Sequence, residues 1–374
     1  MLNNLLSNLY FIALLSIIGS FIVTMLIIPK IIWIVNSRDL IDHPDDRSAH
    51  KSSTPTMAGV SFFLTLVFAI FFIKVWDVDL VGVNLIAALT LIFAVGLKDD
   101  LVMSSPRAKI GGEVIAIFFV LFCGCMQVSS FDGFLGIHNI PIIVSYALII
   151  IIILTVINSY NLIDGIDGLA STIGIVIFST YTFIFYKTGL SFYFLLCLSL
   201  IGILFAFLRY NFSSSKKIFM GDTGSLIIGF CIGFLTLKFL SMDASLFSEF
   251  SFRPENKLIV IATILFIPLF DTVRVIGVRL LNKKSPFYPD RSHIHHILID
   301  SGLSHYKASM FLGNLNLGLV VLFIILSSYF NSFQMITFLI ITFVFMLILF
   351  YKLNKNIQST NVFKYVIRTI QNLF

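Results

Sequence analysis

Charge is what this sequence has least of. Asp, Glu, Lys and Arg make up 12% of its 374 residues, where a soluble domain carries about 25%. That deficit excludes an ordinary soluble globular domain. No long polar stretch interrupts the chain, so nothing resembles a linker between two soluble units. Cysteine is nearly missing too. Cys123, Cys125, Cys197 and Cys231 all fall inside apolar runs, at spacings that make neither a disulfide framework nor a zinc site, and they are expected to be buried thiols. A cleavable signal is also lacking. The apolar run over 10–35 is too long for a signal-peptide core and no small-residue cleavage site follows it, so it is expected to stay as a first span.

In place of charge the chain has hydrophobic residues, 58% of the total and 41 of them Phe, giving a mean hydropathy of +1.00. Runs long enough to cross about 30 Å of hydrocarbon occur at 11–34, 58–75, 81–97, 110–128, 140–157, 166–186, 191–209, 220–240, 258–279, 309–330 and 333–351. Each must be a helix, because backbone facing lipid has to satisfy its own hydrogen bonds. The expectation is an all-α polytopic membrane protein, a bundle of about eleven transmembrane helices in one domain over 1–352. A basic tail over 353–374 follows, with Phe363, Val366, Ile367, Ile370 and Phe374 at helical spacing around Lys364 and Arg368; such a segment lies on a membrane surface.

Placed on these spans, 20 of the 25 Lys and Arg residues fall in loops on one side. Only Lys74, Lys187, Lys238, Arg253 and Lys257 fall on the other. Basic loops mark the cytoplasmic side, which puts the N-terminus outside and the C-terminus inside. The net charge of +6 therefore reads as topology. No basic stripe interleaved with aromatics accompanies it, and no nucleic-acid partner is expected.

Five polar clusters break the apolar pattern, all on that basic side. They are Asp42-His-Pro-Asp-Asp-Arg47-Ser-Ala-His50-Lys51; Gly96-Leu-Lys98-Asp99-Asp100 with Arg107 and Lys109; Asn158-Ser-Tyr-Asn161-Leu-Ile-Asp164-Gly165-Ile-Asp167-Gly168; Asn211 through Phe219-Met220-Gly221-Asp222; and Pro289-Asp290-Arg291-Ser-His293-Ile-His295-His296. A carboxylate at a helix end is ordinary taken singly. Adjacent Asp99 and Asp100 repel, however, and call for a cation, a lysine or a metal. Residues 158, 161, 164 and 167 recur every three positions and would drift around a regular helix. Gly165 and Gly168 allow a bend that brings them onto one ligand. Scattered single Asp and Asn residues suit Mg²⁺, which takes few protein carboxylates and keeps water or phosphate as its other ligands. Arg and His nearby suit diphosphate oxygens. The three histidines lack a fourth zinc ligand at typical spacing.

These clusters resemble the motifs of the polyprenyl-phosphate N-acetylhexosamine-1-phosphate transferases, the superfamily that includes the phospho-MurNAc-pentapeptide translocase. The resemblance covers residues 36–300 in order, and Asn158–Ala170 with Phe219–Asp222 is its most specific part. The His-Ile-His-His ending after Asp290-Arg291 is similar to the branch that transfers GlcNAc-1-phosphate to undecaprenyl phosphate.

The resemblance implies a UDP-N-acetylhexosamine donor, a polyprenyl phosphate acceptor in the membrane lipid, Mg²⁺ (with Mn²⁺ as a possible substitute) and release of UMP. It also implies a bacterial cytoplasmic membrane location with the active site inside. On this basis Asp222 is expected to hold the metal with Asn158 or Asn161, and Asp99 to take the lipid phosphate's proton. Asp100, Asp164 and Asp167 are expected to complete the catalytic group. Lys109 is expected to receive the lipid phosphate, and Arg47, His50, Asn211, Arg291, His293, His295 and His296 to bind substrate. Two departures stand out. Asn211 is followed by Phe-Ser-Ser-Ser-Lys-Lys where the family has Asn-x-x-Pro-Ala, and Met103-Ser104 stands where a further acid is usual.

A transporter would place its polar groups near the midplane and show internal repeats; neither is found. A CDP-alcohol phosphotransferase needs Ala-Arg soon after its first Asp-Gly, which Asp164-Gly-Ile-Asp-Gly-Leu lacks. Gly229 and Gly233 form a small-xxx-small pair, usually helix packing and sometimes a homodimer contact.

Overall fold

The computed structural model describes residues 8–38, 41–42, 54–77, 81–102, 104–121, 126–247, 250, 252–285 and 291–371; for 41–42 and 358–371 only the backbone is described. Arg47, His50, Met103, Cys123, Cys125, Pro289 and Asp290 lie outside the described residues, as do the side chains of the tail.

The chain is a helical bundle whose apolar runs have become helices. In order they are α1 (Leu9–Ser37), α2 (Gly59–Ile73), α3 (Val81–Leu101), α4 (Pro106–Leu121), α5 (Ile142–Ile163), α6 (Leu169–Lys187), α7 (Ser191–Asn211), α8 (Gly221–Ser241), α9 (Lys257–Ile264), α10 (Phe266–Leu281), α11 (Ile294–Asp300), α12 (His305–Tyr329) and α13 (Ser332–Gln371). Among the described residues nine helices are long and apolar enough to cross a membrane, ten if the bent pair α9–α10 counts as one. The eleventh expected span is α4, a 16-residue helix that begins with charged residues and is short for a crossing. With these helices the protein is integral to a membrane.

Helix α8 forms the centre, with 94% of its apolar window buried, while α13 is 17% buried and lies outermost. Around α8 pack α5, α3, α2 and α6; α1 lies against α7 and α2. Two glycines of α8 allow this density. A Cβ on Gly229 would come within 3.0 Å of the Ile157 backbone, and one on Gly233 within 3.1 Å of Ile153. The small-xxx-small pair therefore serves packing against α5 inside the chain, and is not a dimer contact. Cys197 and Cys231 are buried free thiols, as expected.

Two departures from a plain bundle matter. The run over 258–279 is broken at Leu265, where α9 and α10 meet at 68°. Asn316 of α12 repairs the break: its side chain accepts from Ile267 N at 3.2 Å and donates to Ile264 O at 3.0 Å. The second departure is α13, which continues without interruption through residue 352 to Gln371, so the tail is a direct extension of the last span.

At one end of the bundle a hairpin of β1 (Ser130–Phe134) and β2 (Ile137–Asn139) carries Asp132, which pairs with the buried Lys257 at 2.6 Å. At the other end gather the C-termini of α3, α5 and α7 and the N-termini of α2 and α8. There Thr54–Gly59 runs beside the start of α8: Phe219 N donates to Pro55 O, Ala58 N to Phe219 O and Gly59 N to Met220 O. The approach is backbone to backbone. A Cβ on Gly59 would lie 2.2 Å from Gly224 N, and one on Gly96 would lie 2.5 Å from the Thr223 Cα.

Candidate functional site

The site is built on the N-terminus of α8. Gly221 adopts φ +71°, and a Cβ there would meet the Asp100 carboxylate at 2.8 Å; glycine meets both demands. Asp100, from the last turn of α3, accepts from Asp222 N at 2.7 Å, Thr223 N at 3.0 Å and Thr223 Oγ1 at 2.5 Å. It thus caps α8 from a neighbouring helix, where an acid also meets the positive end of the helix dipole. Its carboxylate is committed to holding the start of α8 and with it Asp222.

Asp99 and Asp222 face each other across Lys109. The Lys109 Nζ lies 3.0 Å from Asp99 Oδ2 and 2.6 Å from Asp222 Oδ1. Asp99 Oδ1 accepts from Ser104 N at 2.7 Å. Asn161 Nδ2 reaches the same Asp222 oxygen at 2.5 Å and donates to Ser225 Oγ at 2.8 Å. Two carboxylates, an ammonium and an amide from four helices therefore converge at one point.

The bend expected at Gly165 and Gly168 does not bring all four residues of the third cluster together. Helix α5 ends at Ile163, so Asn158 and Asn161 sit on its last turns while Asp164 and Asp167 lie in the following turn. Asn158 donates to Glu113 Oε2 at 3.0 Å and to Leu154 O at 2.9 Å. Asp164 is half-buried, and burial, reinforced by the charges of Asp222, Asp167 and Asp100, pushes its carboxyl up to about 7. Asp167 turns away, to Lys217 Nζ at 2.7 Å and His305 Nδ1 at 2.9 Å. Burial opposes its ionised form, but the bonds to His305 and Lys217 and their charges outweigh that and hold it below the ordinary carboxylate range.

Asn211 is buried, and both ends of its amide are taken. Its oxygen accepts from Gly168 N at 2.6 Å and its nitrogen donates to Ile218 O at 3.0 Å. It therefore clamps the 164–168 turn to the segment leading into α8, and the expected substrate contact gives way to a structural one.

The histidine loop reaches the site from α10 and α11. Asp271, 1% exposed, accepts from Ile294 N at 3.0 Å and pairs with His293 Nδ1 at 2.7 Å and with Arg274 at 3.0 Å. Arg274, expected in a loop, is thus a buried helical partner. His295 packs on Gly165, where a Cβ would lie 2.2 Å from its Nε2. His295 and His296 are buried with their Nδ1 atoms unpartnered. Burial pushes their imidazoles down, to about 3 and about 4, with neighbouring positive groups adding to it. At neutral pH they are uncharged, so the diphosphate-neutralising role expected of them reduces to hydrogen bonding. Arg291 stands at the surface, 3.5 Å from Asp300.

Sequence reasoning passed over Glu113, Lys217, Asp271, Ser225 and His305. For Glu113 and Asp271 a signal existed, since each is a lone acid inside an apolar run, and such residues are rarely idle.

The donor set fits a magnesium ion. Among the described residues no three His, Cys, Asp or Glu side chains form a ready metal cage. One or two carboxylates with an amide, open to water and phosphate, is the set Mg²⁺ takes. The Lys109 bridge shows that the point between Asp99 and Asp222 attracts a cation.

The family described as glycosyl transferase family 4 matches residues 82–240, which include Asp99 through Asp222. The chain is 30% identical over 296 residues, 77% of each sequence, to the Bacillus subtilis (strain 168) protein named "Probable undecaprenyl-phosphate N-acetylglucosaminyl 1-phosphate transferase". It is 28% identical over 272 residues, 72% of each, to the Yersinia pestis "Undecaprenyl-phosphate alpha-N-acetylglucosaminyl 1-phosphate transferase". It is 29% identical over 274 residues, 72% of this chain and 71% of the relative, to the protein of that same name from Escherichia coli (strain K12).

Proposed function

The chain belongs to glycosyl transferase family 4, and from that premise we propose that it transfers N-acetylglucosamine 1-phosphate from UDP-GlcNAc to undecaprenyl phosphate, releasing UMP and starting a cell-surface glycan. The observation that carries this reading is the Asp99–Lys109–Asp222 bridge beside Asn161 at one end of a membrane bundle. It offers what a phosphoryl transfer between a soluble diphosphate and a lipid phosphate needs, namely positioned anions, a cation and a boundary location.

In the proposed reaction an oxygen of the lipid phosphate attacks the sugar-proximal phosphorus of UDP-GlcNAc, a new P–O bond forms, and the bond to UMP breaks with the electron pair leaving on UMP. Asp222 and Asn161 would hold Mg²⁺, which supplies positive charge to the diphosphate oxygens. Asp99 takes the residual proton of the lipid phosphate, and Lys109, on leaving its bridge, pairs with that phosphate. Asp100 fixes Asp222, and Asn211 fixes the turn carrying Asp164. The excess of Lys and Arg in the loops at this end supports a cytoplasmic position, where the nucleotide sugar is made.

The test is to incubate purified protein with undecaprenyl phosphate, Mg²⁺ and a panel of UDP-sugars and to measure UMP and lipid-linked sugar. UDP-GlcNAc should give both products, and enzyme without lipid should release no burst of UMP. No UMP with any donor would refute the transfer. A stoichiometric burst without lipid would move the nucleophile onto an aspartate.

A further inference from the structure

Glu113 sits one turn beyond Lys109 on α4, on the same helix face, and is fully buried. A carboxylate in an apolar bundle is costly unless something engages it. Its Oε2 accepts from Asn158 Nδ2 at 3.0 Å, while its Oε1 is buried with no partner. No basic side chain forms an ion pair with it among the described contacts, yet Lys109, Asp222 and Asp99 all lie within its electrostatic reach. Nothing in the proposed reaction uses it.

What Glu113 does is set the amide of Asn158. That amide's nitrogen has two hydrogens; one goes to Glu113 and the other to Leu154 O at 2.9 Å. Turned the other way, the amide oxygen would face two acceptors at hydrogen-bond distance. Its orientation is thus fixed by chemistry, and Oδ1 is the atom left for a ligand. Asn158 keeps part of its surface open. Asn161, three residues on, repeats the pattern: its nitrogen is engaged by Asp222 Oδ1 and Ser225 Oγ, and its oxygen is likewise left over. Two amide oxygens on the last turns of α5 are acceptors only. They suit a cation and cannot donate to a phosphate oxygen.

We infer that Glu113 is a positioning residue that locks Asn158 with its carbonyl oxygen toward a divalent cation held in common with Asp222. This rests on the reading of the site as a magnesium site. The outer partners of metal ligands typically change affinity about 10- to 100-fold when removed, and an effect of that size is expected here.

The experiment is Mn²⁺ titration followed by electron paramagnetic resonance on purified full-length protein without substrates, with melting temperature as a check on folding. Glu113→Gln, which keeps an acceptor for Asn158, should stay within about threefold of wild type. Glu113→Leu and Asn158→Ala should each weaken Mn²⁺ binding about tenfold or more, and the double variant should be no worse than Asn158→Ala alone. A merely structural role would lower the melting temperature of Glu113→Leu and leave its Mn²⁺ affinity unchanged; that result overturns the inference, as does additivity in the double variant. Should Glu113→Leu fail to fold, Asn158→Ala decides, because unchanged Mn²⁺ affinity there overturns the inference equally. UMP release by wild type is measured in parallel. Transfer with Mn²⁺ affinity indifferent to these changes sinks the inference alone, while Mn²⁺ affinity that responds without any transfer sinks the proposed reaction alone.

Discussion

Replacing Asp164 by asparagine should stabilise the protein at pH 8 and leave it nearly unchanged at pH 3.5. In the folded chain burial first, then the charges of Asp222, Asp167 and Asp100, raise this carboxyl from 3.8 to about 7. Between those values the unfolded chain has lost a proton that the folded protein still holds, so stability falls as pH rises through the window and the penalty is complete above about 7. Each unit corresponds to about 1.4 kcal/mol, which sets an upper bound of about 4 kcal/mol. Asp164 keeps some surface open to water, and screening brings the expected effect to about 2 kcal/mol. For a chain this long that is a shift of about 4 °C in melting temperature. The assay is thermal unfolding in detergent, wild type against Asp164→Asn, at half-unit steps from pH 3.5 to 9. The two curves should coincide at pH 3.5, diverge as pH rises to about 7 and keep a constant separation above it, the variant melting higher. A constant separation over the whole range, or a variant less stable at pH 8, would refute the electrostatic reasoning. Loss of UMP release in the same stabilised variant would identify the strain as one kept for function.

Asn211→Leu leaves Gly168 N and Ile218 O without partners, at about 1–3 kcal/mol each; melting temperature and UMP release should both fall, and retention of both would remove Asn211 from its clamp. Gly96→Ala drives a methyl to 2.5 Å from the Thr223 Cα, where no flexible side chain can yield; overpacking of about 1–3 kcal/mol should displace Asp222 and lower kcat, and steady-state rates equal to wild type would contradict the close packing. Asn316→Leu strips the α9–α10 break of its substitute hydrogen bonds, costing several kcal/mol within hydrocarbon; a clear drop in melting temperature is expected, and none would show that the break is held otherwise.

The helices were legible because lipid leaves the backbone no alternative, and the apolar runs gave their number nearly right. Helix ends were harder to read. Helix α3 runs on to Leu101, carrying Asp99 and Asp100 inside it, because the positive N-terminal end of α8 takes up Asp100 and Lys109 takes up Asp99. The break at Leu265 was illegible since its remedy, Asn316, comes from another helix; Pro268 alone hinted at it. The clusters were found as residues, but their partners were not. Asp100 reads as half of a repelling pair until its role as a cap on α8 is seen, and Asn211 reads as a ligand until Gly168 and Ile218 meet it. Lys217, in the lengthened loop that departs from the family, gives Asp167 a cation that no local spacing announces. Burial reversed the meaning of His295 and His296, whose sequence suggested charge.

The contact between Asp100 and the start of α8 spans 122 residues of chain, and that between Asp167 and His305 spans 138. A ribosome adding about 5–20 residues per second leaves Asp100 without its capping partners for roughly 6–24 seconds. Throughout that interval α3 is already in or beside the bilayer with two adjacent acids at its end. Their place at the end of the helix, where headgroups and water reach them, makes the wait tolerable; at mid-bilayer each would cost about 2.5–3.5 kcal/mol. The order of assembly thus gives a reason for the site to sit at the rim of the bundle that is separate from catalysis. Its acids must survive half-built for as long as it takes to make the rest.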